Sequence, residues 1–291
     1  RSSQTMRTIV TREELQRSLA NLPRPIALVP TMGALHAGHA ALITAARRTA
    51  ATVVVSIFVN PRQFASAADV ARYPRSLDND QKVAEAAGAD ALFTPTVDEI
   101  YPPNELVTPI DPGPLATRLE GAARPGHFAG VATVVSRLFD IVRPDEALFG
   151  VKDAQQVRVI EWMAAQRSDA IVIRRIATVR DSDDLALSSR NQMLSERGRV
   201  AAASTIPVAL SLIAEAYASG VTSVAVLRAL AERLLTAERQ LSLDYLDFAD
   251  SASLAPLEEA AQISDAPSGE VLVSLAAVVD GVRLIDAITL P

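Results

Sequence analysis

The stretch from Ile26 to Leu42 constrains this chain more than any other. Ile26-Ala27-Leu28-Val29 is an apolar run of the kind that fills a strand buried on both faces, and it stops at Pro30. The small-residue turn Thr31-Met32-Gly33-Ala34 follows, and a helix is expected from about Gly38 to Arg48. Strand, tight turn and helix start together bring backbone N–H groups and the positive end of a helix dipole to one place, which suits an anion such as phosphate. His36 and His39 sit at that helix start and add ring nitrogens able to donate to phosphate oxygens. An alternative is that both histidines only cap or pack the helix.

The same alternation continues downstream. Thr11-Arg12-Glu13-Glu14 has capping-box form and opens a short helix carrying Leu15, Leu19 and Leu22. The β-branched run 52–59 reads as a buried strand that ends in the loop Asn60-Pro61-Arg62-Gln63-Phe64. A helix from Asp78 to Ala87 stops at Gly88, and strands follow at Ala91–Phe93, Ala147–Phe149 and Ala170–Ile173. Phe128–Val142 and the segment after Asp153 read as helices between them. The proline- and glycine-rich stretch 101–126 reads as a wandering connection. Alternating strands and helices from Ile26 to about Ile176 call for an α/β fold, a doubly wound parallel sheet with ligands at the carboxyl ends of its strands. The loops there are 30–39, 60–64, 94–96 and 150–153. After about Val179 the pattern changes to two helices, 196–218 and 222–239, and three strands, 243–248, 270–278 and 281–288, the last two joined by Asp280-Gly281. The expected division is 1–178, a Rossmann-like domain, and 179–291, a smaller α+β C-terminal lid domain.

Composition narrows the partners. With 28 basic and 34 acidic residues the net charge is −6, which argues against broad neutralisation of a nucleic acid. There is no cysteine, hence no disulfide, thiolate metal site or cysteine nucleophile, and three histidines are too few and scattered for a structural metal site. Residues 1–7 show no apolar leader, and no stretch reads as long enough to span a bilayer, so a cytoplasmic protein without a membrane partner is expected.

Four further groups carry possible chemistry. Lys152, in Gly150-Val151-Lys152-Asp153, would neutralise a phosphate as a point charge, or is a surface lysine beside an acid. Ser188-Ser189-Arg190-Asn191 is a donor-rich anion clamp, or a solvated turn. The amides of Asn60, Gln63, Gln155 and Gln156 would orient a polar small molecule. Asp78, Asn79 and Asp80 would help hold Mg²⁺, or form an acidic first helical turn, the reading we favour. His127 reads as a structural or capping histidine.

As an ordered set these motifs are specific. Pro30-Thr31-Met32-Gly33-Ala34-Leu35-His36 with Gly38-His39, Phe58-Val59-Asn60-Pro61 with Gln63-Phe64, Tyr73-Pro74-Arg75, His127-Phe128-Ala129-Gly130, Phe149-Gly150 with Lys152-Asp153 and Gln155-Gln156, and Leu187-Ser188-Ser189-Arg190-Asn191 resemble the pantothenate synthetase (pantoate–β-alanine ligase) family. The H-x-G-H element alone indicates only the wider nucleotidyltransferase superfamily. The resemblance implies ATP-dependent condensation of D-pantoate with β-alanine through a pantoyl adenylate, releasing pyrophosphate and AMP, with Mg²⁺ arriving on ATP. It implies that Met32, Gly33, Ala34, Leu35, His36, Ala37, Gly38, His39, Gly150, Val151, Lys152, Asp153, Val179, Leu187, Ser188, Ser189 and Arg190 bind ATP. His36, His39, Lys152 and Arg190 act on its phosphates, His39 being the family's general acid. Gln63 and Gln156 hold the acid, no metal site is assigned to the protein, and a homodimer is implied. The chain departs from the family at Ala37, Arg62, Asn79, Val151, Ala154 and Asp184; Val151 and Asp184 bear on loop shape. Two other readings are a different H-x-G-H adenylyltransferase and a non-catalytic nucleotide-binding module.

Overall fold

The computed structural model describes residues 6–291; Arg1–Thr5, part of the segment read above as lacking an apolar leader, lie outside the described residues. Packing divides the chain into two units, one holding residues up to Ala116, Arg124–Val151 and Gln156–Val179, the other Thr117–Ala123, Lys152–Gln155 and Arg180–Pro291.

The first unit is built on a six-stranded sheet of β1 (Arg7–Ile9), β2 (Ile26–Thr31), β3 (Thr52–Ile57), β4 (Ala91–Phe93), β5 (Glu146–Gly150) and β6 (Val172–Ile176). The order is β1-β4-β3-β2-β5-β6, and every pairing is parallel. Helices α1 (Arg12–Leu19), α2 (Ala37–Thr49), α3 (Ala67–Arg72), α4 (Leu77–Ala87), α5 (Val97–Ile100), α7 (His127–Val142) and, from Gln156 on, α8 (Ala154–Ala165) complete it, while α6 (Glu120–Ala123) belongs to the other unit. Side-chain alternation along the strands sorts neighbours into two cores. Leu28, Val54, Phe93 and Phe149 join the core that contains α7 and α8 residues such as Phe139 and Ile160. Val29, Val55, Leu92 and Leu148 join the core that contains Ile43 of α2 and Ala84 of α4. Strands buried on both faces are therefore apolar at nearly every position, Thr52 and Ser56 of β3 being exceptions, and each Leu, Val or Ile so placed stabilises by about 1.5–3 kcal/mol.

Two expectations shift. The strand expected at Ala170–Ile173 is displaced to Val172–Ile176 because Ile171 N–H turns back onto Asp169 O at 2.8 Å. Edge strand β6 then includes Arg174 and Arg175, which pair with Glu146 and Glu161. The stretch 101–126 is tied down rather than wandering. Val107, Ile110 and Leu115 pack on the α7–α8 core, Ile110 N–H donates to Thr133 Oγ1 at 2.9 Å, and Gly113 lies against the Trp162 ring, where a Cβ would come within 2.5 Å.

The second unit pairs α9 (Glu196–Ala218) and α10 (Val224–Ala237) with an antiparallel sheet β7 (Leu241–Asp250), β8 (Val271–Val279) and β9 (Val282–Leu290), in the order β7-β8-β9. Asp280 and Gly281 both have positive φ, 54° and 72°, as a type I′ hairpin turn requires. Contrary to the sequence reading, α9 is long and apolar enough to cross a membrane by length and composition. Its Ala201, Ala202, Ile206, Ala209, Leu210 and Ile213 are instead part of this unit's core. The loop entering the unit is fastened at its base: the Arg180 guanidinium holds the buried Asp286 carboxylate at 2.7 and 3.0 Å, and Arg199 reaches Asp181 and Asp183. Asp184 takes φ 61° there, a left-handed position that Asp tolerates better than most residues. The loop closes with an aspartate, not a glycine, at this left-handed position. Asp184→Gly is expected to raise stability by about 1 kcal/mol through relief of that conformation, read as a shift in the urea unfolding midpoint.

Candidate active site

In the first unit the chain builds leftward from β2 to β3 and β4, then starts again at β5 on the other side of β2. The β2–β5 boundary is the sheet's topological switch point, the place where open α/β sheets bind ligands at their carboxyl ends. The turn after β2 lies there, with Gly150 at the carboxyl end of β5 and Val179 beyond that of β6.

The turn is shaped by a buried acid. Gly33 and Ala34 both have positive φ, 88° and 51°. That conformation points successive N–H groups inward, and the Asp80 carboxylate takes them: Ala34 N–H donates to Oδ2 at 3.0 Å and Leu35 N–H to Oδ1 at 2.6 Å. Asp80 is 1% exposed. At Gly33 a Cβ would meet Ile57 at 3.0 Å and Asp80 Oδ2 at 3.1 Å. Thr31 finishes the corner, its hydroxyl donating to Ser56 O at 2.7 Å and accepting from Gly33 N–H at 3.2 Å. The sequence reading therefore needs a correction: the N–H groups of Ala34 and Leu35 are taken up by the protein's own carboxylate. Asp80 also fits poorly as a metal ligand, with both oxygens engaged by N–H donors. Among the described residues no group of three or more His, Asp or Glu side chains is arranged to hold a metal ion.

The two histidines cap α2 reciprocally. Gly38 N–H donates to His36 Nδ1 at 3.1 Å, and His36 N–H donates to His39 Nδ1 at 3.3 Å. The rings lie 4.1 Å apart, centre to centre. Capping and chemistry are thus not alternatives. With each Nδ1 an acceptor, the proton of a neutral ring sits on Nε2, so each imidazole is set up as an Nε2–H donor.

The loop after β3 holds Gln63. Asn60 is buried; its Nδ2 donates to Gln63 Oε1 and to Gly130 O, each at 3.0 Å. Its Oδ1 accepts from Arg62 N–H at 3.2 Å and from the Tyr101 hydroxyl at 2.8 Å. Burial pushes the Tyr101 hydroxyl up to about 12, against the pull of Arg62 and Arg137, so it stays protonated as a donor. Arg62, a departure from the family, lies over the Tyr101 ring at 4.0 Å and donates to Val107 O at 3.1 Å. Gln63 Nε2 lies 3.2 Å from Met32 Sδ, so Gln63 and the β2 turn meet. His127, at the start of α7, has Nδ1 3.0 Å from Gln63 O, the structural role expected of it. Helix α7 comes this close to the loop because residue 130 is glycine: a Cβ there would lie 2.3 Å from Arg62 O.

The remaining candidates sit as follows. Gln156 is half-buried on α8. Gln155 is taken up by structure, its Oε1 accepting from Glu120 N–H at 3.0 Å and its Nε2 donating to Arg118 O at 2.7 Å. In the second unit, Lys152 Nζ lies 3.3 Å from Asp153 Oδ2 in a 3-10 turn, Val151–Asp153, with Lys152 largely buried. Ser188 caps the 3-10 turn Ser189–Met193, its hydroxyl accepting from Arg190 N–H at 3.3 Å. Ser189 is buried, Leu187 and Arg190 are half-buried, and Asn191 Nδ2 donates to Ala186 O at 3.0 Å.

Comparison with known proteins identifies the family. Residues 4–289 match the family described as pantoate-beta-alanine ligase. The chain belongs to that family. It is 45% identical over 270 residues to a pantothenate synthetase of Pelobacter propionicus, covering 93% of this chain and 92% of that one. It is 43% identical over 284 residues to one of Agrobacterium fabrum, covering 97% and 94%. A pantothenate synthetase structure from Thermus thermophilus superposes with a TM-score of 0.87 at 40% identity, covering 97% of this chain and 99% of that one. A Francisella tularensis pantoate-beta-alanine ligase, solved with beta-gamma ATP and beta-alanine, superposes with a TM-score of 0.78 at 31% identity, covering 97% of each chain. The α/β fold and the ligase assignment follow, and the two other readings of the H-x-G-H element give way to them.

The sequence reading takes Asp80 as a possible Mg²⁺ partner or an acidic first-turn residue and misses its part in shaping the β2 turn, yet a signal is there. Asp80, Val83, Ala84 and Ala87 keep the i, i+3, i+4, i+7 spacing of one helix face, and Val83, Ala84 and Ala87 face the core. An aspartate on an apolar stripe has a buried partner to find. Asp80→Asn keeps the size but turns an amide N–H₂ toward one of the two backbone donors. It is expected to cost about 1–3 kcal/mol in urea unfolding, the penalty of an unsatisfied buried N–H. Gly130→Ala is expected to cost about 1–3 kcal/mol by overpacking, and to weaken substrate binding more than a remote change of equal cost.

Proposed function

We propose that this chain condenses D-pantoate with β-alanine to pantothenate, using ATP. A pantoate carboxylate oxygen attacks the α-phosphorus of ATP, and the bond to pyrophosphate breaks. The β-alanine amine then attacks the acyl carbon of the mixed anhydride, loses a proton, and AMP departs with the anhydride oxygen. Adenylation supplies the leaving group that a carboxylate lacks, so no protein nucleophile is required, in keeping with a chain that has no cysteine. Positioning and charge stabilisation carry the catalysis.

The observation that carries this reading is the reciprocally capped pair His36 and His39 at the switch point of the sheet. Their Nε2–H groups are proposed to donate to phosphate oxygens as negative charge grows there, with His39 as general acid. Met32–His39, Gly150–Asp153, Val179 and Leu187–Arg190 are proposed to bind ATP, Lys152 and Arg190 acting as the cationic phosphate contacts with the Ser188 and Ser189 hydroxyls. Gln63 and Gln156 are proposed to hold pantoate, Gln63 also lying near β-alanine. The contact of Gln63 with Met32 supports that placement. Mg²⁺ is taken to enter as part of the MgATP substrate. We further propose functional domains at 1–178 and 179–291, the second serving as a lid, a homodimeric assembly, a cytoplasmic location, and no nucleic-acid or membrane partner.

An AMP-formation assay with MgATP, D-pantoate and β-alanine, omitting each in turn, tests the reaction. AMP is expected only with all three, and pyrophosphate release to require pantoate. ATP binding without pantoate-dependent turnover would refute it. His39→Ala and Lys152→Ala are each expected to slow adenylation by about 10²–10³, or 2.7–4 kcal/mol, the loss of one transition-state donor. Near-normal turnover in a folded variant would remove the assigned role. Gln63→Ala is expected to raise the KM for pantoate and β-alanine far more than that for ATP.

A further inference from the structure

The two ends of a glutamine side chain have the same shape and opposite hydrogen-bonding character, so a site that uses one must first decide which end it presents. For Gln63 the decision is made by backbone. Asn60 Oδ1 accepts from Arg62 N–H at 3.2 Å, a group that can only donate. Asn60 Nδ2 donates to Gly130 O at 3.0 Å, a group that can only accept. Those two one-way partners fix the Asn60 amide without reference to any ligand. The Tyr101 hydroxyl reinforces the same sense by donating to Asn60 Oδ1 at 2.8 Å, and Asn60 and Tyr101 are both buried. The second N–H of Asn60 then goes to Gln63 Oε1 at 3.0 Å, which turns Gln63 Nε2 outward to the Met32 thioether at 3.2 Å. A thioether is a weak acceptor, readily replaced by an oxygen.

We infer that Asn60 and Tyr101 are positioning residues that lock Gln63 as a hydrogen-bond donor, so that the acid substrate is selected at this point through an acceptor oxygen. The inference rests on the proposed contact between Gln63 and pantoate. Reversing the amide to suit a donor on the ligand would set N–H against N–H at Asn60, and a buried mismatch of that kind is costly. The site therefore favours acids that bring a carboxylate or hydroxyl oxygen to Gln63 and disfavours analogues that bring an ammonium or lack the oxygen.

Gln63→Glu separates polarity from mere size. The new carboxylate still accepts from Asn60 Nδ2 but presents an anionic acceptor where the donor stood. Its KM for D-pantoate is expected to rise about 10- to 100-fold and to be at least as high as that of Gln63→Ala, while the KM for ATP stays within about twofold of the parent chain. Tyr101→Phe, which removes one support of the Asn60 amide, is expected to raise the pantoate KM about three- to tenfold with ATP KM unchanged. Unfolding midpoints of all three variants accompany the kinetics. A Glu variant that uses pantoate better than the Ala variant overturns the assigned polarity, as a Tyr101→Phe variant with parental pantoate KM overturns the part given to Tyr101. A Gln63→Ala variant with parental pantoate KM removes instead the placement of Gln63 on the acid, and the inference with it.

Discussion

The carboxylate of Asp80 sits where the fold and the candidate site meet. A strand that ends in the middle of a parallel sheet must turn sharply to launch its helix. Here that turn uses two consecutive left-handed residues, Gly33 and Ala34. The N–H groups of Ala34 and Leu35 then converge in the interior, away from water, and would be destabilising without an acceptor. Asp80 answers both Ala34 and Leu35 from the first turn of α4, where the helix dipole also favours a negative group. The consequence reaches the histidines. Leu35 is the residue before His36, so fixing its N–H fixes the entry into α2, and the reciprocal cap of His36 and His39 forms on a backbone already in place.

The Gln63 loop follows the same logic with neutral groups. Asn60 is fully buried and divides its amide among four partners: Arg62 N–H, Gly130 O, Tyr101 hydroxyl and Gln63 Oε1. Those partners come from three separate stretches of the chain, and the close approach of α7 exists only because Gly130 has no side chain. A side chain on a loop is ordinarily the least precise part of a site. A satisfied buried network gives it the rigidity that a strand or helix would otherwise supply.

Much of this was legible in the residues, and the reasons differ by element. The runs at 26–29 and 52–57 announce doubly buried strands because nearly every position is apolar, and Asp280-Gly281 announces its hairpin because few other pairs tolerate two positive φ values. Three-residue β1 carries too few positions to show any period, and β6 hides behind the exposed Arg174 and Arg175, whose charges pair with Glu146 and Glu161 at the edge. For the candidate site, the glutamine and histidine positions were visible as residue types in loops at the carboxyl ends of strands. Their orientation was not. That His36 and His39 both use Nδ1 for capping, that Gln155 is consumed by Glu120 N–H and Arg118 O, and that Asp80 points at Ala34 and Leu35 are facts of three-dimensional partnership between segments 35 to 46 residues apart or between a side chain and its own turn. A lone sequence names donors and acceptors; it does not say which are already taken.

That distinction bears on how an adenylating site with no covalent catalyst works. If transition-state charge is stabilised by donors alone, their value depends on not having to reorganise when the reaction begins. An imidazole free to flip would present N–H or a lone pair with comparable ease, and a free glutamine would present either end. In this chain both ambiguities are removed before any substrate enters, by backbone groups that cannot change their sense: Gly38 N–H and His36 N–H for the rings, Arg62 N–H and Gly130 O for the amide network. The cost of choosing the right orientation is met during folding. Groups fixed in that sense donate, and phosphate and carboxylate oxygens accept.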